Sequence, residues 1–434
     1  MTENQRDRGL LRAVGPLTFA ASIFNGIIGA GIFVVPAALS ASMGVYSPLA
    51  FVVCGIAIGS VALCLAEGGS RIPTSGGIYG YIEVAFGPLV GYVAGTVLWF
   101  GNVLACGGVA AALADLIASL VPASYAPVVH AASIVGLVGG IALVNIAGAA
   151  QGARLASIAT VLKLLPLTIF IVAGAFAWHG GGFVVTAPPT PQGFDRGILL
   201  ALFTLTGMEV TLSASGEVAQ PARSIPRALA LSISAVTVLY ISIQAVAQGI
   251  LGPALAQSTT PLADAMAQIS PALRWMMLVA ASVSMLGWLS SDFLGSPRML
   301  FAFARDGLLF SILGRVHKRT HTPYVAILVY AALAIVLALS GSFAELAVLG
   351  TLASALLYGS GCAAAYRLAR REVAQAGPPL NSRWLGPAAF VGIGSMVAMI
   401  SLASRTEILG ALALVVISAL FYLLSVRLAT VRPG

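Results

Sequence analysis

Apolar residues in this chain gather in blocks of about 20, each long enough to cross a bilayer as a helix. Twelve such blocks occur, at roughly 14–39, 46–66, 78–109, 127–147, 156–177, 197–215, 228–251, 275–303, 324–339, 345–366, 387–402 and 408–426. They predict an all-α polytopic membrane protein with 12 transmembrane helices. The first block is too long, and lacks the small-residue cleavage pattern, to be a removable signal peptide. Turn residues crowd the stretch 67–77 (EGGSRIPTSGG) and again 216–227 (GEVAQPARSIPR), which read as loops. Between the first of these and the third block, 79–88 (YGYIEVAFGP) suits an interfacial segment.

Two blocks carry interruptions at mid-depth. The first holds 24–36 (FNGIIGAGIFVVP), with Gly26, Gly29 and Gly31 inside six residues and Pro36 following. Each glycine costs a helix interior roughly 1 kcal/mol relative to alanine, and proline has no N–H to donate. Such a stretch is either a small-residue packing seam or a helix unwound around a ligand. In hydrocarbon the second is tolerated only where freed backbone is buried in protein or lines a cavity. The sixth block holds 200–210 (LALFTLTGMEV), with Thr204, Thr206 and Gly207 at mid-depth and Glu209 just beyond.

The interrupted blocks are the first members of two consecutive sets of five. An odd number of crossings inserts the second set upside down, and paired broken helices at corresponding places point to a transporter's binding site. The expected organisation is one domain over 1–434: a first repeat at about 14–177, a second at about 197–366, and two extra helices at about 387–426. The symmetry is positional, without residue identity between the halves.

Composition agrees with the membrane class: 59% of residues are hydrophobic and 8% charged. The basic excess, 22 Lys and Arg against 14 Asp and Glu, does not point to nucleic acid. With the N-terminus inside, eighteen of the 22 fall on the cytoplasmic side; Arg196, Arg274 and Arg405 fall outside and Lys163 within a span. That asymmetry is the positive-inside rule and predicts both termini in the cytoplasm. Cys54, Cys64, Cys106 and Cys362 lie in apolar blocks without metal-ligand spacing and read as buried free thiols. No cofactor or metal is expected.

Polar residues inside spans are the remaining candidates. Asn102 reads first as an interhelical hydrogen bond and second as a ligand contact. Lys163, within VLKLLP, either snorkels to the interface or serves function, and an ionisable group at depth favours function. Ser282 and Ser284 either back-bond to their own helix or face the site. Asp292 must be protonated, paired or functional.

These motifs resemble those of the amino acid–polyamine–organocation (APC) superfamily over nearly the whole chain. The 26–36 stretch is similar to that family's first helix, 67–88 to its second loop, 204–227 to its sixth helix and following loop, and 297–309 (PRMLFAFARDGLL) to its eighth-helix ending. The resemblance implies a 5+5 inverted-repeat transporter with discontinuous helices 1 and 6. It also implies that a substrate carboxylate meets the N–H groups of Gly29, Ala30 and Gly31, at a half-helix N-terminus with its positive dipole end. The α-ammonium then meets carbonyls of Ile27, Phe203, Thr204 and Thr206, beside Gly207. Phe203 matches an aromatic gate and Asn102 a side-chain-contacting asparagine. Lys163 matches a lysine that bridges the first, fifth and eighth helices in place of sodium, hydrogen-bonding first-helix carbonyls and Ser282 or Ser284. Glu209 resembles a family acid of structural or proton-handling kind. Asp292 departs from the family pattern and suggests a cationic ligand group or a second titrating site.

The expected function is a secondary active transporter of amino acids in the cell (inner) membrane, by proton-coupled symport or exchange. A polyamine or cationic amino acid carrier is the alternative, and a non-transporting amino acid sensor a further one. No nucleophile–base pair or metal cluster suggests an enzyme. Expected partners are the small-molecule substrate, protons, the lipid bilayer and, through spans eleven and twelve, a second copy in a homodimer.

Overall fold

The computed structural model describes residues 15–72, 77–178, 188–212, 215, 218–375 and 378–431, with the backbone alone for 149–161 and 426–431. Among these residues the chain is helical, without a β-strand. The helices are α1 (Pro16–Ile27), α2 (Gly31–Met43), α3 (Ser47–Arg71), α4 (Gly77–Phe86), α5 (Pro88–Ala118), α6 (Ala126–Ala147), α7 (Ala149–Phe176), α8 (Pro191–Thr204), α9 (Met208–Leu212), α10 (Pro221–Leu251), α11 (Pro261–Ala267), α12 (Pro271–Arg305), α13 (Tyr324–Ser340), α14 (Phe343–Arg370), α15 (Leu385–Ser401) and α16 (Arg405–Val431).

Local sequence explains many of the helix ends. Proline occupies the first turn of α1, α3, α5, α6, α8, α10, α11 and α12, where its missing N–H would have had no partner anyway. α14 opens on a capping box, with the Ser342 side chain on the Glu345 N–H and the Glu345 carboxylate on the Ser342 N–H. Seven stretches among the described residues are long and apolar enough to cross a membrane: α2 running into α3, α5, α6, α10, α12, α14 and most of α16. The shorter apolar helices are α1, the Leu162–Phe176 part of α7, α13 and α15. α16 leaves Leu409, Leu412, Val416, Leu420 and Leu424 exposed, an outer face that hydrocarbon, not water, would solvate.

Three sequence readings change. The stretch 67–77 is not a loop from its start: α3 runs to Arg71, and 73–76 lie outside the described residues. Helix persists there because tertiary partners hold it. The Arg71 guanidinium, itself buried, reaches Glu67 Oε1 at 2.9 Å and the Val373 carbonyl at 3.0 Å. The Glu67 carboxylate also accepts from the N–H groups of Asn381 and Ser382. Second, the third block divides at Gly87 (φ 96) into α4 and α5. Third, of the stretch 216–227, the residues from Pro221 onward are the start of α10, with Pro226 inside it; 216–217 lie outside the described residues. So do the expected N-terminal basic residues Arg6, Arg8 and Arg12, and the side chain of Arg154.

The helices that position the site pack in layers around the two interruptions. α3 lies against α10, α5 against α14, and α7 against α12; α1 rests on α10 and α2 on α8. Phe51 and Tyr240 meet edge to face at 5.7 Å in the α3–α10 seam, a favoured aromatic geometry. All four cysteines are buried and free.

Candidate functional site

The first interruption spans 28–30, between α1 and α2. Pro36 is not what ends the helix, since α2 continues through it; its carbonyl is near enough to accept from Gln244 Nε2 at 3.3 Å. Chain geometry at the break is set by a tight turn in which the Gly29 N–H donates to the Ile27 carbonyl at 2.9 Å. The first N–H groups of α2, those of Gly31 and Ile32, have no intrahelical acceptor.

Carbonyls freed at this break are taken by side chains from three other helices. Lys163 of α7 donates to the Asn25 carbonyl at 2.9 Å and to that of Ile28. Tyr240 of α10 donates to Ile27 O at 3.1 Å, and Ser284 of α12 to Gly29 O at 3.1 Å. Lys163 is 2% exposed, so it does not snorkel. It reaches Ser284 only through the first helix's backbone, and Ser282 not at all: Ser282 back-bonds to Leu278 of its own helix at 3.0 Å. The expectation that Lys163 bonds Ser282 or Ser284 is therefore corrected: its donors go to the Asn25 and Ile28 carbonyls, and the two serines, two residues apart, lie on different faces of α12.

The second interruption spans 205–207, between α8 and α9. Here the chain caps itself. Thr204 Oγ1 donates to Ala201 O and Thr206 Oγ1 to Phe203 O, each at 2.7 Å. The Gly207 N–H, at φ 117, donates to Glu209 Oε2 at 2.9 Å, and Tyr358 of α14 donates to the same oxygen. Gly207 also sits where the two breaks cross: a Cβ on it would lie 2.5 Å from the Gly26 carbonyl oxygen. Only glycine fits a positive φ at so close an approach.

Between the breaks lies a narrow cavity of about 40 Å³. Of the residues expected at the site, Ile27, Gly29, Ala30, Gly31, Asn102, Phe203, Thr204, Thr206, Gly207 and Glu209 line it. Sequence reasoning did not find Trp288 of α12, Gly101 and Ala105 of α5, or Gly350, Ala353 and Ser354 of α14, which complete the wall. Small residues in an apolar span carry no signal of their own. Trp288 packs against the break so closely that a Cβ on Gly29 would meet its ring at 2.9 Å. The Phe203 ring stands edge to face with Phe343 at 5.7 Å.

Three expectations about contacts change with this geometry. The carbonyls of Ile27 and Phe203 each already accept two hydrogen bonds, the latter from both the N–H and the hydroxyl of Thr206; a carbonyl has two lone pairs. Those of Thr204 and Thr206 take no capping bond among the described residues. Likewise the Gly29 N–H is closed on its own turn, leaving Ala30 and Gly31 as the donors at the α2 terminus. Asp292 does not line the cavity: 3% exposed, it accepts from Ser296 Oγ at 2.6 Å and from the Tyr330 hydroxyl. Asn102 does line it, and its Nδ2 donates to Ser296 Oγ at 2.9 Å. It is an interhelical bond and a cavity wall at once.

The family model described as amino acid permease matches residues 14–430. A serine/threonine exchanger of Bacillus subtilis is 30% identical over 346 residues, covering 77% of this chain and 78% of the relative. A branched-chain amino acid permease of the same organism is 26% identical over 339 residues, 74% of this chain and 73% of the relative. A cationic amino acid transporter of Mus musculus is 27% identical over 363 residues, 78% of this chain and 57% of the relative.

Proposed function

The chain belongs to the amino acid permease family, a multi-pass membrane protein and not an enzyme, and from that premise we propose that it moves amino acids across the cell membrane by alternating access. The observation that carries this reading is the cavity walled by both helix interruptions at once. The substrate carboxylate sits on the N–H groups of Ala30 and Gly31 at the start of α2, where unpaired donors and the helix dipole favour an anion. The α-ammonium meets the carbonyls of Thr204 and Thr206. Phe203 covers the substrate as a gate, and Asn102 faces its side chain.

Twelve crossings in a 5+5 inverted repeat account for the packing. Exchanging the two sets of five turns α7 against α12 into α14 against α5, and both pairs are packed. The α3–α10 pair maps onto itself. α15 and α16 stand outside the repeat, and the exposed face of α16 is available to lipid or a second copy. Both termini lie in the cytoplasm by the charge asymmetry.

Lys163 is the coupling group. It ties α7 to the broken first helix, so loss of its proton removes a charged donor from two carbonyls and biases the inward–outward equilibrium. Glu209 holds the second break through Gly207 and Tyr358. Exchange is favoured over symport by the serine/threonine exchanger among the relatives. A polyamine or cationic substrate is disfavoured, since Asp292 is turned away from the cavity onto Ser296 and Tyr330.

Purified protein in liposomes tests the reading. Labelled amino acid should accumulate, and under exchange only when the vesicles are preloaded with counter-substrate. Acceleration by an inward proton gradient without preloading would establish symport instead. Absence of uptake for every amino acid under both conditions would end the transport reading.

A further inference from the structure

A directed chain of hydrogen bonds runs from a buried acid to the cavity wall across three helices. Asp292 of α12 accepts from Tyr330 of α13 and from Ser296 Oγ at 2.6 Å. Ser296 Oγ in turn stands 2.9 Å from Nδ2 of Asn102 on α5. A serine hydroxyl has one hydrogen, and a carboxylate only accepts. Once the Ser296 hydrogen is committed to Asp292, Ser296 can only accept from Asn102. The Asn102 amide must therefore present its NH₂ to Ser296, and its carbonyl oxygen is the atom left facing the cavity. An asparagine without such a partner chain would offer either end.

We propose that Asp292 is a positioning residue acting through Ser296 to fix the Asn102 amide oxygen toward the cavity, so that the site selects amino acids whose side chain donates a hydrogen bond, hydroxyl-bearing ones first. The inference rests on the amino acid transport reading and names the substrate class within it. It replaces the idea that Asp292 pairs directly with a ligand cation. The chemistry is asymmetric. A donor-bearing side chain replaces the hydrogen bond its hydroxyl loses on leaving water, whereas an isostere with a methyl in that place leaves Asn102 Oδ1 unpaired.

Threonine and valine are the isosteric pair that reads this out, with alanine as a probe of the shared α-amino acid part. Competition of each against labelled uptake by the full-length protein, with thermal shift as a second measure, should favour threonine over valine about tenfold. Ser296→Ala and Asp292→Asn should each bring that ratio below about threefold while alanine affinity moves less than that. Ser296→Thr, which keeps the hydroxyl, should restore the ratio. Should Asp292→Asn fail to fold, the Ser296→Ala and Ser296→Thr pair still decides. Alanine binding with no threonine preference in the wild type, or an undiminished preference in Ser296→Ala, overturns the proposal while leaving amino acid transport standing. Failure of alanine, threonine and valine all to bind while another amino acid is taken up overturns the proposal alone; absence of uptake for every amino acid overturns both.

Discussion

The two helix interruptions look alike along the chain and are held open by different means. At the second, between α8 and α9, the residues that break the helix also satisfy it: Thr204 and Thr206 back-bond to Ala201 and Phe203, and Glu209 takes the Gly207 N–H from two residues away. At the first, between α1 and α2, no local side chain does this. Lys163, Tyr240 and Ser284 reach in from α7, α10 and α12. A break capped by its own residues keeps its shape wherever it moves. A break capped by three neighbours keeps its shape only while those neighbours stay in register. The first interruption is therefore tied to the register of its neighbours, and the second is shaped mainly by its own residues.

The largest test of this contrast is Lys163→Met, which strips the donor from two buried carbonyls. Each such loss costs about 1–3 kcal/mol, so a destabilisation of about 2–6 kcal/mol in thermal or denaturant unfolding is expected, together with loss of most transport. Retained wild-type exchange in this variant would remove Lys163 as the tie between α7 and the first helix. Ser284→Ala comes next. It deprives only Gly29 O of its donor, for about 1–2 kcal/mol, and should slow exchange more than it lowers melting temperature. Tyr240→Phe is milder, about 1 kcal/mol, because Ile27 O keeps the Gly29 N–H. Smallest is Thr206→Val. Phe203 O retains the Thr206 N–H, so stability should change by less than about 1 kcal/mol. An effect as large as that of Lys163→Met would show that the second break is no more self-sufficient than the first.

A second contrast lies away from the membrane midplane. Glu67 and Arg71 form a buried node in which the carboxylate takes Arg71 and the N–H groups of Asn381 and Ser382. The guanidinium also reaches Val373 O and Asn381. Every charge there is paired by protein. At the two breaks, by contrast, Ala30, Gly31, Thr204 and Thr206 line the cavity and carry backbone groups that take no capping bond among the described residues. Completed pairing marks structure, and incomplete pairing around a hollow is what the proposed function assigns to the ligand.

Much of this was legible along the chain. Runs of about 20 apolar residues announce spanning helices because the bilayer fixes their length. Glycines and threonines at mid-depth mark candidate interruptions, a packing seam being the other use of small residues there. Gly31 and Thr206 stood out for that reason, and Phe203 through the family resemblance. Which carbonyls are free was not legible, because Tyr240 looks like an ordinary polar residue of an apolar span, and nothing along the chain tells Ser284 from Ser282, until packing brings Tyr240 to Ile27 and Ser284 to Gly29. Nor was the place of Asp292. Its sequence position fixes only that a carboxylate lies at depth and needs partners. Whether those partners are a ligand or Ser296 and Tyr330 depends on the rotation of α12 against α5 and α13, and local sequence does not set the relative rotation of packed helices. The sequence by itself determined the membrane class, the proline-led helix starts and the positions of the two breaks, all short-range consequences of burial and backbone chemistry. Only the tertiary structure decided which groups face the cavity, since that requires knowing which faces of distant helices meet.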